Sequence, residues 1–279
     1  MSLAFARLRR LIGSLAGISL DADKLYFAQS RLEPIMRAHE CRDLAALMRL
    51  IETREDEALL QRVVDAMTNN ETSFFRDRVP FERLRQEWLP DLMTRRAETR
   101  RLRIWSAACS TGQEPYSIAM ALAESEPDLE DWKVEITATD ISEAALETAR
   151  RGVYSQFEAQ RGLSTARLLR YLEPHRGQWR VSDALRARVV FRRVNLLDQF
   201  RDIGPCDVIF CRNVLMYFEP EVRREVLTRL FGVLAEDGVL ILGAAETMEF
   251  DERFAPSTSG DCRILRRRPA PRRRSVNGV

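Results

Sequence analysis

A chain of 279 residues, 45% apolar and 31% charged, can bury one large core or a core with a small second domain. Its 44 basic and 42 acidic side chains leave a net charge of +2, so charge alone does not predict a nucleic-acid partner. Five cysteines without a C-x-x-C pair and two distant histidines exclude a disulfide framework and disfavour a zinc site. No apolar run has the length of a membrane span or a signal peptide, so we expect a protein of the reduced cytoplasm without membrane insertion.

The first quarter of the chain predicts a small all-helical domain. Apolar side chains recur with helical spacing in three stripes, and charged side chains fill the other faces. The stripes are Leu25, Leu32, Ile35 and Met36; Leu44, Leu47, Met48 and Ile51; and Leu60, Val63, Val64 and Met67. Residues 68–77, rich in Asn and Thr, predict a loop between two helices, with Phe74 and Phe75 as an aromatic anchor.

After a predicted helix over 79–97, strands and helices alternate. This pattern indicates a parallel sheet covered on both faces and joined by right-handed crossovers. The predicted strands are 102–106, 133–138, 189–193, 206–211 and 239–243. A helix follows Gly112, with helical spacing at Ile118 and Leu122, and two more helices are predicted at 142–151 and 221–234. Residues 153–188 break the alternation and predict a small insertion with a hairpin. The arginine-rich residues 266–279 predict a disordered tail.

Polar side chains follow the predicted strands where a ligand crevice is expected. Small residues from 106 to 112 let a ligand approach the turn backbone, but only Gly112 is a glycine and Glu114 would repel a pyrophosphate. A cationic ligand therefore suits this turn better than a dinucleotide. Asp140, at the second strand end, has the position of a carboxylate that binds a ribose diol, with helix capping as the alternative.

Five motifs occur in order along the chain. They are N-E-T-x-F-F-R at 70–76, A-A-C-S-T-G-Q-E-P-Y-S at 107–117, T-D at 139–140, N-L-L-D at 195–198 and F-C-R-N-V-L-M-Y-F at 210–218. On these motifs the sequence resembles the chemotaxis receptor glutamate methyltransferases, the CheR family, from the helical domain to about residue 265.

The resemblance implies an α/β fold with a small all-α domain before it. The second domain would be a Rossmann-like class I methyltransferase domain with a mixed, mostly parallel sheet and a small antiparallel insertion. The implied boundaries are 1–76 for the helical domain and inter-domain loop, 77–265 for the S-adenosylmethionine-dependent methyltransferase domain, about 153–188 for the insertion, and 266–279 for the basic tail.

The resemblance also implies the residues of a cofactor site. These are Asn70, Thr72, Arg76, Glu114, Asp140, Asn195, Leu196, Arg212 and Asn213. Asp140 would bind the ribose hydroxyls, and Asn195 with Leu196 the adenine. Glu114 and the inter-domain loop would hold the amino-acid end of S-adenosylmethionine. The family usually has Glu where this chain has Gln113, while the neighbouring Glu114 matches.

The residues themselves favour a carboxylate as the methyl acceptor. S-adenosylmethionine carries its own leaving group, so the protein has to align a nucleophile with the methyl group. An amine or hydroxyl acceptor usually needs a base such as histidine, and neither His39 nor His175 lies in a motif. A glutamate is already ionised at neutral pH, although Tyr or Asp bases leave other acceptors open. We assign Arg76 as a bidentate ligand of a carboxylate, either the cofactor's or the substrate's, and Tyr217 as the group that orients the acceptor oxygen, with packing as the alternative for Tyr217.

The resemblance predicts a cytoplasmic, bacterial protein-glutamate O-methyltransferase for chemosensory adaptation. It would convert receptor glutamates to glutamate 5-O-methyl esters and release S-adenosylhomocysteine, without a metal. Its partners would be the helical cytoplasmic domains of chemoreceptors rather than nucleic acid, and it would be a monomer. A basic docking face would have to come from Arg31, Arg37, Arg42 and Arg49, and the hairpin around residues 174–177 is short for gripping a receptor tether peptide.

Two other functions remain open at this stage. The arginine-rich tail suggests a nucleic-acid methyltransferase, but R-N-V-L-M-Y stands where base-methylating enzymes carry N/D-P-P-Y/F. A sensor that binds S-adenosylmethionine or docks receptors without catalysis is the second alternative. The intact Arg76, Asn213 and Tyr217 disfavour that sensor.

Overall fold

The computed structural model describes residues 3–54, 56–125, 129, 131–246, 254–259 and 262–267. Four helices form the N-terminal domain: α1 (Leu3–Ala16), α2 (Leu25–Ala38), α3 (Leu44–Arg54) and α4 (Glu57–Met67). Their apolar faces share one core, in which Phe5, Leu32 and Leu47 are fully buried. The three predicted stripes are therefore α2, α3 and α4, whereas α1 was not predicted.

A segment of three helical pieces joins this domain to the sheet. It consists of α5 (Val79–Arg83), a π-helical turn (Leu84–Trp88) and α6 (Leu89–Arg95), close to the single helix predicted over 79–97. The wide turn precedes Pro90, and the amide of Leu89 donates to the carbonyl of Leu84. Because proline has no N–H and its ring crowds the preceding turn, the regular hydrogen-bond ladder is interrupted there.

The second domain is built on a seven-stranded sheet with the order β6-β2-β1-β7-β8-β10-β9. Its strands are β1 (Arg101–Ala107), β2 (Lys133–Asp140), β6 (Val189–Arg193), β7 (Cys206–Cys211), β8 (Leu234–Leu242), β9 (Phe254–Ser259) and β10 (Cys262–Arg267). The first five are parallel, and β10 runs antiparallel to β8 and β9. Helices α7 (Gln113–Ala123), α8 (Glu143–Arg151) and α12 (Pro220–Val233) belong to the crossovers between parallel strands.

The two faces of the sheet carry separate cores. Successive residues of β1 point to opposite faces, so Ile104 lies in one core and Trp105 in the other. The sheet therefore has the doubly covered architecture that the alternating pattern predicted.

The C-terminal end of the sheet differs from the prediction. Strands β9 and β10 were not predicted, and the assignment of Arg266 and Arg267 to a disordered tail was wrong because both lie in β10. Ile264 and Leu265 are buried in this strand, while Arg267 stacks its guanidinium over the ring of Phe231, 4.2 Å from its centroid. The rest of the predicted tail, 268–279, lies outside the described residues.

The predicted insertion lies between α8 and β6. It contains β3 (Val153–Tyr154), α9 (Gln156–Gln160), α10 (Thr165–Tyr171), β4 (Leu172–His175), β5 (Gln178–Val181) and α11 (Asp183–Arg186), and its strands form an antiparallel sheet with the order β3-β5-β4. A two-residue turn joins β4 to β5, and Arg176 and Gly177 there have φ angles of 49° and 78°. Positive φ at both central positions is the tight-hairpin geometry that matches strand twist.

Candidate functional site

A cavity of about 420 Å³ lies between the helical domain and the carboxyl ends of β1, β2 and β7. Every site residue that the sequence predicted borders it: Asn70, Thr72, Arg76, Glu114, Asp140, Asn195, Leu196, Arg212, Asn213 and Tyr217. Parallel strands bring their carboxyl ends to one edge of a sheet, which is why residues so far apart in sequence meet here. The helical domain forms the opposite wall.

The turn after β1 exposes its backbone to the cavity. Ala108, Ser110 and Gly112 have φ angles of 58°, 52° and 97°, a conformation that side-chain-bearing residues rarely adopt. A Cβ at Gly112 would lie 2.8 Å from the Cβ of Ala149. Only glycine therefore lets α7 begin this close to α8.

Asp140 is buried at the end of β2 and accepts a hydrogen bond from the turn after β1. Its Oδ2 accepts from the amide of Ser110 at 2.8 Å, and its Oδ1 accepts from the amide of Ser142 at 2.9 Å. Burial raises the pKa of Asp140, and these backbone donors oppose that effect. The cap of α8 is Ser142, whose hydroxyl accepts from the amide of Ala145. A carboxylate has about four acceptor positions, so Asp140 retains capacity for a diol.

A buried ion cluster links the sheet to the inter-domain loop. The guanidinium of Arg212 donates to Glu114 Oε2 at 2.9 Å, to Asp77 Oδ2 at 2.6 Å and to the carbonyl of Arg76 at 2.8 Å. The side chain of Arg212 is 1% exposed. Glu114 also accepts from Ser106 Oγ at 2.8 Å, and burial raises its pKa while Arg212 opposes the rise. Arg212 thus holds Glu114 and the loop together.

The inter-domain loop is anchored so that Arg76 borders the cavity. Phe74 and Phe75 are buried, and the amide of Phe75 donates to Ser117 Oγ on α7 at 2.8 Å. Arg76 donates to the carbonyl of Glu71 at 3.1 Å. Among the described residues, Arg76 forms no ion pair, so its guanidinium can still pair with a ligand carboxylate.

The far wall of the cavity is formed by the segment between α1 and α2. Asn195 Nδ2 donates to the carbonyl of Leu15 at 2.6 Å, and Asn195 Oδ1 accepts from the amide of Leu197 at 3.0 Å. The Asn195 amide therefore joins α1 to the loop after β6, with one N–H left for a ligand. Leu196, 6% exposed, adds an apolar surface beside it.

Asn213 and Tyr217 follow β7 in a loop that a buried carboxylate supports. Glu246, 2% exposed, accepts from the amides of Val214 at 2.8 Å and Leu215 at 2.7 Å through Oε1, and from the amide of Gly243 at 2.6 Å through Oε2. This carboxylate holds the end of β8 against the loop.

Sequence reasoning missed several residues of the site. Asp77 directly follows the motif at 70–76, so its signal was position beside a motif, whereas Ser106 ends one predicted strand and Glu246 follows another, so strand-end position was a usable signal for these two. The wall formed by residues 16–21 had no signal because α1 was not predicted. Arg31 was assigned to an external basic face, but it borders the cavity and donates to the carbonyls of Ala66 and Thr68 at the end of α4.

The donor set suits one class of ligand. Glu114 can pair with an ammonium group, Arg76 with a carboxylate and Asp140 with a diol, and apolar side chains can flank a ring. S-adenosylmethionine carries each of these groups. Among residues 3–54, 56–125, 129, 131–246, 254–259 and 262–267, no three His, Cys, Asp or Glu side chains come together as a metal site. No helix in the described part of the chain is both long and apolar enough to span a bilayer.

Fold and site together define an S-adenosylmethionine-binding methyltransferase with an additional helical domain. The comparison with protein families agrees in both domains: the CheR methyltransferase all-alpha domain matches residues 3–68, and the CheR methyltransferase SAM-binding domain matches residues 70–261. The chain belongs to the CheR methyltransferase family.

Similar proteins cover most of the chain. Chemotaxis protein methyltransferase 1 of Pseudomonas aeruginosa is 45% identical over 248 residues, 88% of this chain and 90% of the relative. Chemotaxis protein methyltransferase Cher2 of Pseudomonas putida is 42% identical over 251 residues, which are 88% of this chain and 91% of the relative. The chemotaxis protein methyltransferase of Escherichia coli is 37% identical over 255 residues, which are 89% of this chain and 86% of the relative.

Proposed function

We propose that this protein transfers a methyl group from S-adenosylmethionine to glutamate side chains of chemoreceptors, for chemosensory adaptation. The products would be glutamate 5-O-methyl ester and S-adenosylhomocysteine. Family membership and the names of the relatives, chemotaxis protein methyltransferases matched over most of their length, support the pathway. The acceptor group is inferred from the chemistry of the cavity.

Different cavity residues would bind different groups of the cofactor. S-adenosylmethionine supplies the methyl group together with its own leaving group. We assign Glu114 to the ammonium group, because it is the buried carboxylate at the start of α7. We assign Asp140 to the ribose hydroxyls and Leu196 with Asn195 to the adenine. The two terminal nitrogens of Arg212 bond to Glu114, Asp77 and the Arg76 carbonyl and would position Glu114, while its buried Nε–H, without a partner among the described residues, is left for the cofactor.

One observation supports a carboxylate as the methyl acceptor: Arg76 borders the cavity, and neither histidine does. His39 lies beside Arg62 at the end of α2, and His175 lies in the insertion hairpin. A glutamate acceptor is ionised at pH 7 and needs no base, but it needs a cation and a donor to align it. Arg76 would bind one or both carboxylate oxygens, and Tyr217 would orient the attacking oxygen.

The test is transfer of labelled methyl from S-adenosylmethionine to a receptor cytoplasmic fragment, followed by mild alkali. Release of the label as volatile methanol is expected, because alkali hydrolyses a carboxyl methyl ester. Label that stays on the receptor after alkali would mean nitrogen methylation and would refute the carboxylate acceptor. Binding of S-adenosylhomocysteine without transfer to any receptor would instead support a sensor.

Variants test the two proposed catalytic residues, and the Kd of S-adenosylhomocysteine shows whether Arg76 binds the cofactor carboxylate instead of the acceptor. Arg76→Ala and Tyr217→Phe should lower kcat at least about tenfold each, the loss typical of a charged or polar contact made in the transition state. Arg150→Ala is a matched control, because Arg150 is exposed on α8 and pairs with Glu143 outside the cavity and outside the docking face. An Arg76→Ala enzyme with unchanged turnover would remove Arg76 from the mechanism.

We also propose that the protein is a cytoplasmic monomer, that it docks receptors without a tether peptide, and that it has no nucleic-acid partner. Of the four arginines predicted for a basic docking face, Arg31 is turned toward the cavity, and Arg37 and Arg42 pair with Glu33 and Asp43. The two-residue turn between β4 and β5 supports the short hairpin. Micromolar binding of a receptor C-terminal peptide would contradict the tether-free docking, and light scattering would test the monomer.

A further inference from the structure

Tyr217 is held at two points by the N-terminal part of the chain. Its hydroxyl oxygen accepts a hydrogen bond from Asn69 Nδ2 at 2.7 Å. Its carbonyl accepts from the amide of Ser19 at 2.8 Å, and Ile18 forms a β-bridge with Phe218. The side chain that the proposed mechanism places at the acceptor is thus oriented by residues outside the loop that carries it.

The direction of the Asn69 hydrogen bond has a chemical consequence. Asn69 Oδ1 accepts from the amide of Glu71 at 3.4 Å, so the Nδ2 group faces Tyr217 and can only donate. A phenol has one proton and two lone pairs, and its O–H lies in the ring plane. When the oxygen accepts from Asn69 on one side, its own proton must point to the other side.

We propose that Asn69 is a positioning residue that turns the Tyr217 hydroxyl proton toward the cavity. Tyr217 then meets the substrate as a hydrogen-bond donor. This inference rests on the proposed function, in which Tyr217 orients a carboxylate acceptor. A hydrogen bond donated to the attacking carboxylate oxygen would fix the direction of that oxygen and leave its second lone pair for the methyl group. Without Asn69 the hydroxyl can turn its proton to either side, and only one side faces the substrate.

Isosteric and truncating substitutions test the direction of the bond. Asn69→Ala should lower kcat roughly fivefold, the effect of one neutral hydrogen bond. Asn69→Asp has nearly the same shape but accepts instead of donating, so it draws the Tyr217 proton away and should lower kcat further than Asn69→Ala. The Kd of S-adenosylhomocysteine, measured by calorimetry, should stay within about twofold of the parent value in both, since the Asn69 side chain bonds to Tyr217 and the amide of Glu71 and to none of the residues assigned to the cofactor.

A double-mutant cycle and a matched control complete the test. In the Tyr217→Phe background, neither Asn69 substitution should lower kcat further, because the proton they act on is gone. Gln61→Ala removes another amide contact between the domains, Gln61 Nε2 to the Ile141 carbonyl at 3.0 Å, and should leave kcat unchanged. Equal losses with and without the Tyr217 hydroxyl, or an Asn69→Asp enzyme as active as the parent, would overturn the proposal.

The proposal has a readout that does not depend on turnover. In protein labelled with ζ-¹³C tyrosine, the Tyr217 resonance, assigned through Tyr217→Phe, should move in Asn69→Asp and stay in place in Gln61→Ala. An unmoved resonance in Asn69→Asp refutes the positioning role even if the parent enzyme releases no methanol. Absence of methanol from the parent refutes the carboxylate acceptor and leaves the resonance to decide the role of Asn69.

Discussion

Replacing Arg212 with methionine tests whether the buried ion cluster holds the site together. The substitution keeps much of the side-chain length but removes the guanidinium, which is 1% exposed and bonds to Glu114, Asp77 and the Arg76 carbonyl. Glu114 is 13% exposed and loses the one ion pair that it makes with the described residues, while Asp77 is 36% exposed and stays hydrated. Removing one partner of a buried pair costs about 3–5 kcal/mol of unfolding free energy.

The loss should depend on pH in a definite direction. Burial already raises the pKa of Glu114, and the charge of Arg212 opposes that rise. In Arg212→Met the folded-state pKa rises further above the unfolded value, so the folded protein binds more protons than the unfolded chain. The stability deficit therefore grows as the pH rises from the unfolded-state pKa of Glu114 to its raised folded-state pKa, and it shrinks as the pH falls through the same range. The change is at most about 1.4 kcal/mol per pH unit.

Urea unfolding at several pH values measures these effects, with two companion variants. Arg37→Met breaks an ion pair whose side chains are 80% and 53% exposed, and it should change stability by less than about 0.5 kcal/mol. Adding Glu114→Gln to Arg212→Met should restore part of the loss, because the unpaired charge disappears. An Arg212→Met protein within about 1 kcal/mol of the parent, or with a deficit that does not shrink in acid, would refute the role of the cluster.

Three further outcomes follow from the structure. Gly112→Ala should cost about 3 kcal/mol in urea unfolding and weaken S-adenosylhomocysteine binding, whereas Gly177→Ala, with a φ of 78° but no atom within 4 Å of the new Cβ, should cost only about 1 kcal/mol. The hydrogen bond from Arg96 lowers the pKa of Asp237 to about 2. The ion pair should therefore contribute about 1 kcal/mol to the free energy of unfolding above the unfolded-state pKa, and this contribution should be lost as the pH falls toward 2. Asp237→Asn should remove the contribution at pH 7, and an unchanged urea midpoint would contradict this. Calorimetry should show that S-adenosylhomocysteine binding weakens as the pH falls through the raised pKa of Glu114, and a flat pH profile would argue against an ammonium at that carboxylate.

Local pattern was sufficient to predict most of the fold. Helical spacing located α2, α3 and α4, and the alternation of strands and helices located the five parallel strands within a few residues. Strand-end position then placed Glu114, Asp140 and Tyr217 at one cavity, because the carboxyl ends of parallel strands share one edge. These features depend on neighbours in sequence, or on a topological rule that needs no side-chain detail.

Tertiary structure alone decided what each side chain of the site contacts. The sequence presents Arg212 as one more cavity residue, but the fold buries its guanidinium between Glu114 and Asp77, from two segments distant in sequence. Asn69 likewise meets Tyr217 only because the helical domain closes over the sheet edge. In the sequence, Arg266 and Arg267 belong to a charged C-terminal stretch, and only the fold shows that their strand, β10, pairs with β8 and β9. Such contacts join segments that chain folding brings together, and no local spacing encodes them.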